Sequence, residues 1–319
     1  MKLRGLFAPI QSIVRASTSA TSTAVSLQLI ASLRKDTGAS IQKCKEALEH
    51  SNRDIQLAIQ FLRKRGEEIN KQRSDKAESH RLSCIASDDF LKASITKVAC
   101  LTDFASESEL FVKFCESFNK AILSTPCAEQ DINRMEVPML GISQIHSHTL
   151  GDILSDLSTI LTEPVTIQNT QIITGDLVGT YVHGKSSYCE SVGASASVVA
   201  LRLRSDLTPE KRAGLLILAN KLARQVLATK PKYIQESCIP EDVISKEKEV
   251  LGSKIKQSSV LEKAFKGHMF KYISENCLMQ MEWVLPHEST LTVLEYMQEE
   301  CGKLGVNVED IEVQKFVVM

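Results

Sequence analysis

Apolar side chains recur at helical spacing between residues 27 and 66 and at every second position from Leu82 onward, so the chain must join a helical segment to a sheet-bearing one. Leu27, Ile30 and Leu33 share one helical face ahead of Asp36-Thr37-Gly38, where Gly38 can adopt the positive φ that ends a helix. Ser40 can cap a second helix with Ile41, Cys44 and Leu48 inward. Asn52 or Asp54 can cap a third, in which Ile55, Ala58, Ile59 and Leu62 line one face and Gly66 marks the end. A segment of about forty residues encloses only a small core, so residues 26–66 are expected to form a compact module that leans on the rest of the chain.

Residues 67–81 carry almost no large apolar side chains and alternate in charge sign, which reads as a linker or a solvated helix extension. Leu82 to Ala86 and Lys92 to Cys100 alternate around Ser87-Asp88-Asp89 and predict a hairpin. A helix is expected over about 106–124, with Phe111, Phe114, Cys115, Phe118 and Ile122 on a core-facing stripe. Further on, Leu150 to Leu161 reads as helix, and Val165 to Ile173, Leu177 to His183 and Ser191 to Leu203 as strands. Thr208-Pro209 opens a long helix that Lys230-Pro231 stops, with Leu215, Leu218, Ala219, Leu222 and Val226 inward. Helices over about 241–253, 259–275 and 290–303 and strands near Met281 to Leu285 and Val308 to Val318 complete the pattern. Strands and helices alternate without a βαβ rhythm, so the fold class is α+β with antiparallel sheets over 82–319. Helical stretches at Glu107 to Leu123 and Leu207 to Ala228, each after strands, hint at two related halves, 82–160 and 161–319.

Composition narrows the function classes. Lys plus Arg (38) nearly balance Asp plus Glu (39), which leaves no overall field for a polyanion and argues against direct nucleic-acid binding. Nine cysteines, an odd number with no C-x-x-C pair, argue against a disulfide framework or a zinc site and suit a reducing compartment. The only candidate for a membrane span, Val25 to Leu33, is short and is interrupted by Ser26, Gln28 and Ser32, so none is expected. Lys2, Arg4 and Arg15 are interleaved with Leu3, Leu6, Phe7, Ile10, Ile13 and Val14, a Ser/Thr-rich stretch comes next, and the first acidic residue is Asp36. Residues 1–25 therefore read as a mitochondrial presequence directing the chain to the matrix.

Gly179-Thr180-Tyr181-Val182-His183-Gly184-Lys185-Ser186 satisfies the phosphate-loop pattern G-x-x-x-x-G-K-S, and taken literally it makes the chain a nucleotide hydrolase. The loop should then open into a helix, but residues 187–193 have no helical periodicity, and no apolar strand ends in a suitably placed Asp for Mg²⁺. His146 and His148 lack partners at ligand spacing, so neither a metal nor another cofactor is expected.

Two segments carry a family resemblance. Leu33-Arg34-Lys35-Asp36-Thr37-Gly38-Ala39-Ser40, continuing to Lys45-Glu46-Ala47-Leu48, resembles the first signature of the elongation factor Ts family. Thr102-Asp103-Phe104, between a strand and a Phe-rich helix, resembles the core of its second signature. The flanks depart from the family pattern, with Lys97, Ala99, Leu101 and Ala105 at positions usually Glu, Asn, Glu and Val. Gly175 to Gly184 is similar to the family's strand ending in His-Gly, and Gln225 stands where a His is frequent. The resemblance implies a ubiquitin-associated-like three-helix module at 26–66 and a non-catalytic guanine-nucleotide exchange factor that binds mitochondrial elongation factor Tu. On this resemblance Thr102, Asp103 and Phe104 promote nucleotide release, Leu33, Arg34, Thr37, Gly38 and Lys45 are contacts of the module, and His183 and Gly184 are contacts of the core. Without the resemblance, Asp103 would be a helix cap and Phe104 a lid on the Phe111 cluster.

Overall fold

Ser26, Ser40 and Asp54 start the three N-terminal helices, each side chain accepting a hydrogen bond from a first-turn amide (Gln28 at 3.2 Å, Lys43 at 3.4 Å, Leu57 at 3.0 Å). A computed structural model of the protein describes residues 25–73, 79–124, 149–205, 207–252 and 258–319, so the expected leader at 1–25, apart from Val25, and His146 and His148 lie outside the described residues. The helices are α1 (Leu27–Thr37), α2 (Ile41–His50) and α3 (Ile55–Arg73). Gly38 ends α1 at φ +70°, its amide returning to the Arg34 carbonyl at 2.8 Å. Ile30, Leu33, Cys44, Leu48, Ile59 and Leu62 form the core of this bundle.

Gly66 does not end the third helix: residues 67–73 are the helix extension that the sequence allowed, 74–78 lie outside the described residues, and 79–81 already belong to a strand. Helix α3 continues to Arg73, and strand β1 (Ser79–Ala86) begins three residues before Leu82. The reason is tertiary: α3 crosses α6 (Leu150–Leu161), and a Cβ on Gly66 would lie 1.9 Å from the Ser155 carbonyl oxygen. Around that contact Thr159 donates to the Leu62 carbonyl at 2.8 Å and Arg63 pairs with Asp156 at 3.2 Å. Glycine here permits the close backbone approach that joins the module to the core.

The remaining elements are β2 (Lys92–Cys100), α4 (Asp103–Ser106), α5 (Glu109–Ser124), β3 (Thr166–Thr174), β4 (Leu177–His183), β5 (Val192–Gly193), β6 (Ser195–Leu203), α7 (Pro209–Thr229), α8 (Glu241–Gly252), α9 (Ser258–Asn276), α10 (Val293–Lys303) and β7 (Ile311–Val318). They build two antiparallel sheets, β3-β2-β1-β5 and β4-β6-β7, and the fold is α+β. Alternation assigns the faces. Leu82, Cys84, Ala93 and Ile95 meet Val178, Val182, Ala196, Val198 and Ala200 between the sheets. Val98 and Cys100 face the Phe111, Phe114 and Phe118 stripe of α5, together with Ile153 and Leu157 of α6. Leu177, Val199 and Leu201 face α7 and α10, so the layers run helix, sheet, sheet, helix. A bulge in β7, where Ala200 and Leu201 pair with Lys315 and Val313, lets Val313 face the helices and Val317 the inter-sheet layer.

The two sheets repeat one design of hairpin, helix and returning strand. Ser94 of β2 donates to the Asn119 carbonyl of α5 at 3.2 Å, and Ser197 of β6 donates to the Ala223 carbonyl of α7 at 2.6 Å. Strand β3, which follows the 160/161 division, pairs with β2 and so belongs to the first sheet. The expected strand at Met281 to Leu285 is instead an irregular segment carrying only a single bridge, Glu282 to Thr292. Gln225, fully buried in α7, accounts for it: its amide donates to the Glu282 carbonyl at 2.8 Å and accepts from the Val284 amide at 3.0 Å.

Helix α10 is tied to α7 by polar bonds, Lys221 reaching the Tyr296 hydroxyl at 2.8 Å and Glu300 at 2.9 Å, while Lys303 reaches Glu300 at 2.9 Å. Burial alone would raise the Glu300 pKa, but the bonds from Lys221 and Lys303 outweigh it and bring it from 4.5 to about 2.

Both joints can be tested. Gly66→Ala should destabilise the chain by about 1–3 kcal/mol, the range for an overpacked site, and should expose the α3–α6 contact to protease. A melting temperature equal to that of the unaltered chain would contradict the close crossing. Because the folded-state pKa of Glu300 is depressed, its contribution to stability is present above pH 4.5 and is lost as the pH falls toward 2. The difference in melting temperature between the unaltered chain and Glu300→Gln should therefore shrink between pH 7 and pH 3.

Candidate functional site

Strand β2 ends at Cys100 under the Phe cluster, and the chain turns outward at Leu101. Thr102 stays extended (φ −121°, ψ 152°) and caps the single turn α4, its hydroxyl accepting from the Ala105 amide at 3.3 Å. Thr102, not Asp103, is the cap. Ala105 is buried against the α5 cluster, where its small side chain lets the turn lie close to the sheet. Ser106 is fully buried, and its hydroxyl donates to the Asp103 carbonyl at 2.8 Å.

Phe104 points to solvent with 90% of its surface exposed, although the apolar Phe111 cluster lies under the same turn. It is not a lid on that cluster. The ring shares its well-bonded turn with the exposed Asp103, so both side chains are open to a contact. Asp103 is oriented from below: Ser79 Oγ donates to its Oδ1 at 2.6 Å and lies 3.1 Å from Ser106 Oγ. Arg81 pairs with Glu107 at 2.6 Å and closes the far end of the turn.

The support expected from the flanks of the motif comes from elsewhere. Glu163, beyond the end of α6, accepts from the Thr102 amide at 3.0 Å and from the Thr102 hydroxyl at 2.7 Å. The altered flanks fill structural places: Ala99 is fully buried, Lys97 pairs across the sheet with Leu82, and Leu101 is half-buried. Neither Ser79 nor Glu163 was singled out by the sequence. Ser79 fell in the polar stretch read as a linker or helix extension, ahead of the strand expected from Leu82, and Glu163 before Pro164 looked like an ordinary loop residue.

The N-terminal module meets the same region. Lys43 Nζ donates to Thr162 Oγ1 at 2.9 Å and to the Thr159 carbonyl, and burial and the neighbouring Arg65 charge lower its pKa. Of the expected module contacts, Arg34 and Lys45 are exposed, Lys45 lying 3.8 Å from Glu49. Gly38 is exposed at the end of α1, and the half-buried Thr37 donates to the Leu33 carbonyl at 2.7 Å. Leu33 is not a surface contact: it is completely buried between the three helices. His183 and Gly184 are exposed at the end of β4, with His183 Nδ1 3.4 Å from the Tyr181 hydroxyl and Arg224 stacked over the Tyr181 ring.

The phosphate-loop pattern is overturned. Gly179 to His183 lie in β4, paired along their length with β6, and the next element is the short strand β5 rather than a helix. Gly179 is needed because a Cβ there would come within 2.3 Å of the Ala219 backbone in α7, and Lys185 pairs with Glu190 at 3.1 Å. Among the described residues no group of His, Cys, Asp or Glu is arranged to hold a metal ion, and no helix is long and apolar enough to cross a membrane.

The braced turn offers an aromatic ring and a carboxylate to solvent, chemistry suited to contact with another macromolecule. The family model described as elongation factor TS matches residues 101–319, more than half of the chain. Elongation factor Ts of Clostridium botulinum (strain 657 / Type Ba4) is 28% identical over 303 residues, covering 92% of this chain and 91% of that protein. Elongation factor Ts of Clostridium novyi (strain NT) is 27% identical over 289 residues, covering 88% of each. This chain belongs to the elongation factor Ts family, a family of translation elongation factors.

Proposed function

We propose that this chain is a guanine-nucleotide exchange factor that binds elongation factor Tu and promotes release of GDP without catalysing a covalent reaction. The observation that carries the reading is the solvent-facing Phe104 on its braced turn, inside the family match. An exchange factor binds the nucleotide-free partner more tightly than the nucleotide-bound one, and linkage makes the two effects reciprocal. A thousandfold weakening of nucleotide requires about 4 kcal/mol of coupling. Burying a Phe ring supplies about 1.5–3 kcal/mol of that, and an exposed ion pair about 0–1 kcal/mol. The remainder has to come from a wider interface.

In this reading Phe104 wedges into the partner beside the nucleotide and Asp103 disturbs the Mg²⁺ and phosphate surroundings. The three helices α1–α3 form a ubiquitin-associated-like module that docks on the GTPase domain through Arg34, Thr37, Gly38 and Lys45. His183 and Gly184 anchor the core on a second part of the partner. The partner is the mitochondrial form, and the site of action is the matrix, which the basic, acid-free composition of residues 1–25 supports.

Release of fluorescent GDP from mitochondrial elongation factor Tu should accelerate with the unaltered chain. Phe104→Ala should lower that acceleration about tenfold to a hundredfold, as loss of the ring's burial implies, with no change in melting temperature. Equal release with and without the chain would remove the reading. For the location, a fusion of residues 1–30 to a reporter should enter isolated mitochondria and be cleaved, whereas a reporter left outside would count against the matrix assignment.

A further inference from the structure

We infer that Glu163 is the positioning residue of the release turn, an inference that rests on the exchange reading above. Its carboxylate reaches Thr102 twice, accepting from the amide with one oxygen at 3.0 Å and from the hydroxyl with the other at 2.7 Å. A hydroxyl has one proton. Donating it to Glu163 leaves a Thr102 lone pair directed at the Ala105 amide, the bond that closes α4. The carboxylate thus sets the rotation of the capping hydroxyl, and through it the direction in which Asp103 and Phe104 leave the turn. Two bonds tie Thr102 to one carboxylate, where a single bond from Ser79 steadies Asp103 from beneath.

The backbone that delivers Glu163 is rigid for local reasons. Thr162 ends α6 in the left-handed region (φ 63°, ψ 23°), and Pro164 confines the Glu163 backbone to extended conformations. Both sides of the corner are held by the N-terminal helices. Lys43 of α2 donates to Thr162 Oγ1 at 2.9 Å, and Asn70 of α3 accepts from the Val165 amide at 2.9 Å and from Ser158 Oγ at 2.7 Å. One corner therefore fixes the helical module and the release turn relative to each other. Glu163 itself is half-buried under Thr102 and acts on the partner only through the turn.

The test compares Glu163→Ala and Glu163→Gln in the full chain. In Glu163→Ala, amides of residues 102–106 should exchange with deuterium about tenfold faster, the loss of a helix cap, while β1, β2 and α5 keep their protection. The maximal rate of GDP release from elongation factor Tu should fall about tenfold, with the half-saturating concentration changing less than about threefold. Glu163→Gln, which retains one acceptor oxygen, should recover part of both effects, and Thr102→Val combined with Glu163→Ala should be no slower than Glu163→Ala alone. Unchanged exchange and release in Glu163→Ala would overturn the inference, as would protection lost uniformly across the first sheet or additive effects in the double variant. Absence of release by the unaltered chain would instead remove the exchange reading, and the deuterium measurement would then decide the role of Glu163 in the turn by itself.

Discussion

The N-terminal module and the Thr102–Phe104 turn are joined through the crossing of α3 and α6. At Gly66 the backbones come so close that no side chain fits between the helix and the Ser155 carbonyl, and Thr159, Arg63 and Asp156 seal the contact with polar bonds. A three-helix bundle of this size has little core of its own, and its stability is therefore shared with the helix it grips. Helix α6 is in turn packed on the α5 phenylalanines, and its C-terminal corner holds Thr102. Module, helix and turn form one mechanical unit, with apolar packing along its length and charge-assisted bonds at its end.

The sequence revealed the elements of that unit and few of the contacts that join them. Periodicity located the three N-terminal helices, the first hairpin and the Phe stripe, because each of these buries one face and so writes a period of 3.6 or 2 into the sequence. It failed where long-range contacts decide the local structure. Residues 67–73 could be read as a linker or as a helix extension, and contact with α6, which no apolar stripe in those residues records, makes them helical. Met281 to Leu285 alternate like a strand, yet Gln225 takes the backbone groups that a neighbouring strand would have used. The tripeptide was legible as a motif, whereas its supports were not, because Glu163 and Ser79 are distant in sequence and ordinary in type.

Glycine explains both the misleading motif and the real joint. The G-x-x-x-x-G-K-S match and the crossing at Gly66 each contain a glycine whose missing Cβ lets a helix approach, Gly179 under Ala219 of α7 and Gly66 under Ser155 of α6. In neither place does the glycine expose amides to a phosphate, since Gly179 lies in a strand with its neighbours paired to β6. The pattern recorded a packing requirement of two close layers, the same requirement that a nucleotide-binding loop meets for another reason.

The exposed Phe104 is consistent with this division of labour. A turn of four residues cannot hold a large ring in water by its own stability, because a single helical turn has one backbone bond to set against the ordering of several residues. Here the order comes from outside, through Glu163, Ser79 and the buried Ala105 and Ser106. On the proposed reading, ordering the turn before the partner arrives means that less of the ring's binding energy is lost to immobilisation, leaving more for displacing the partner's nucleotide. The altered flanks are then intelligible: with support supplied by the α6 corner, Lys97, Ala99 and Ala105 are free to serve the sheet and the core beneath the turn.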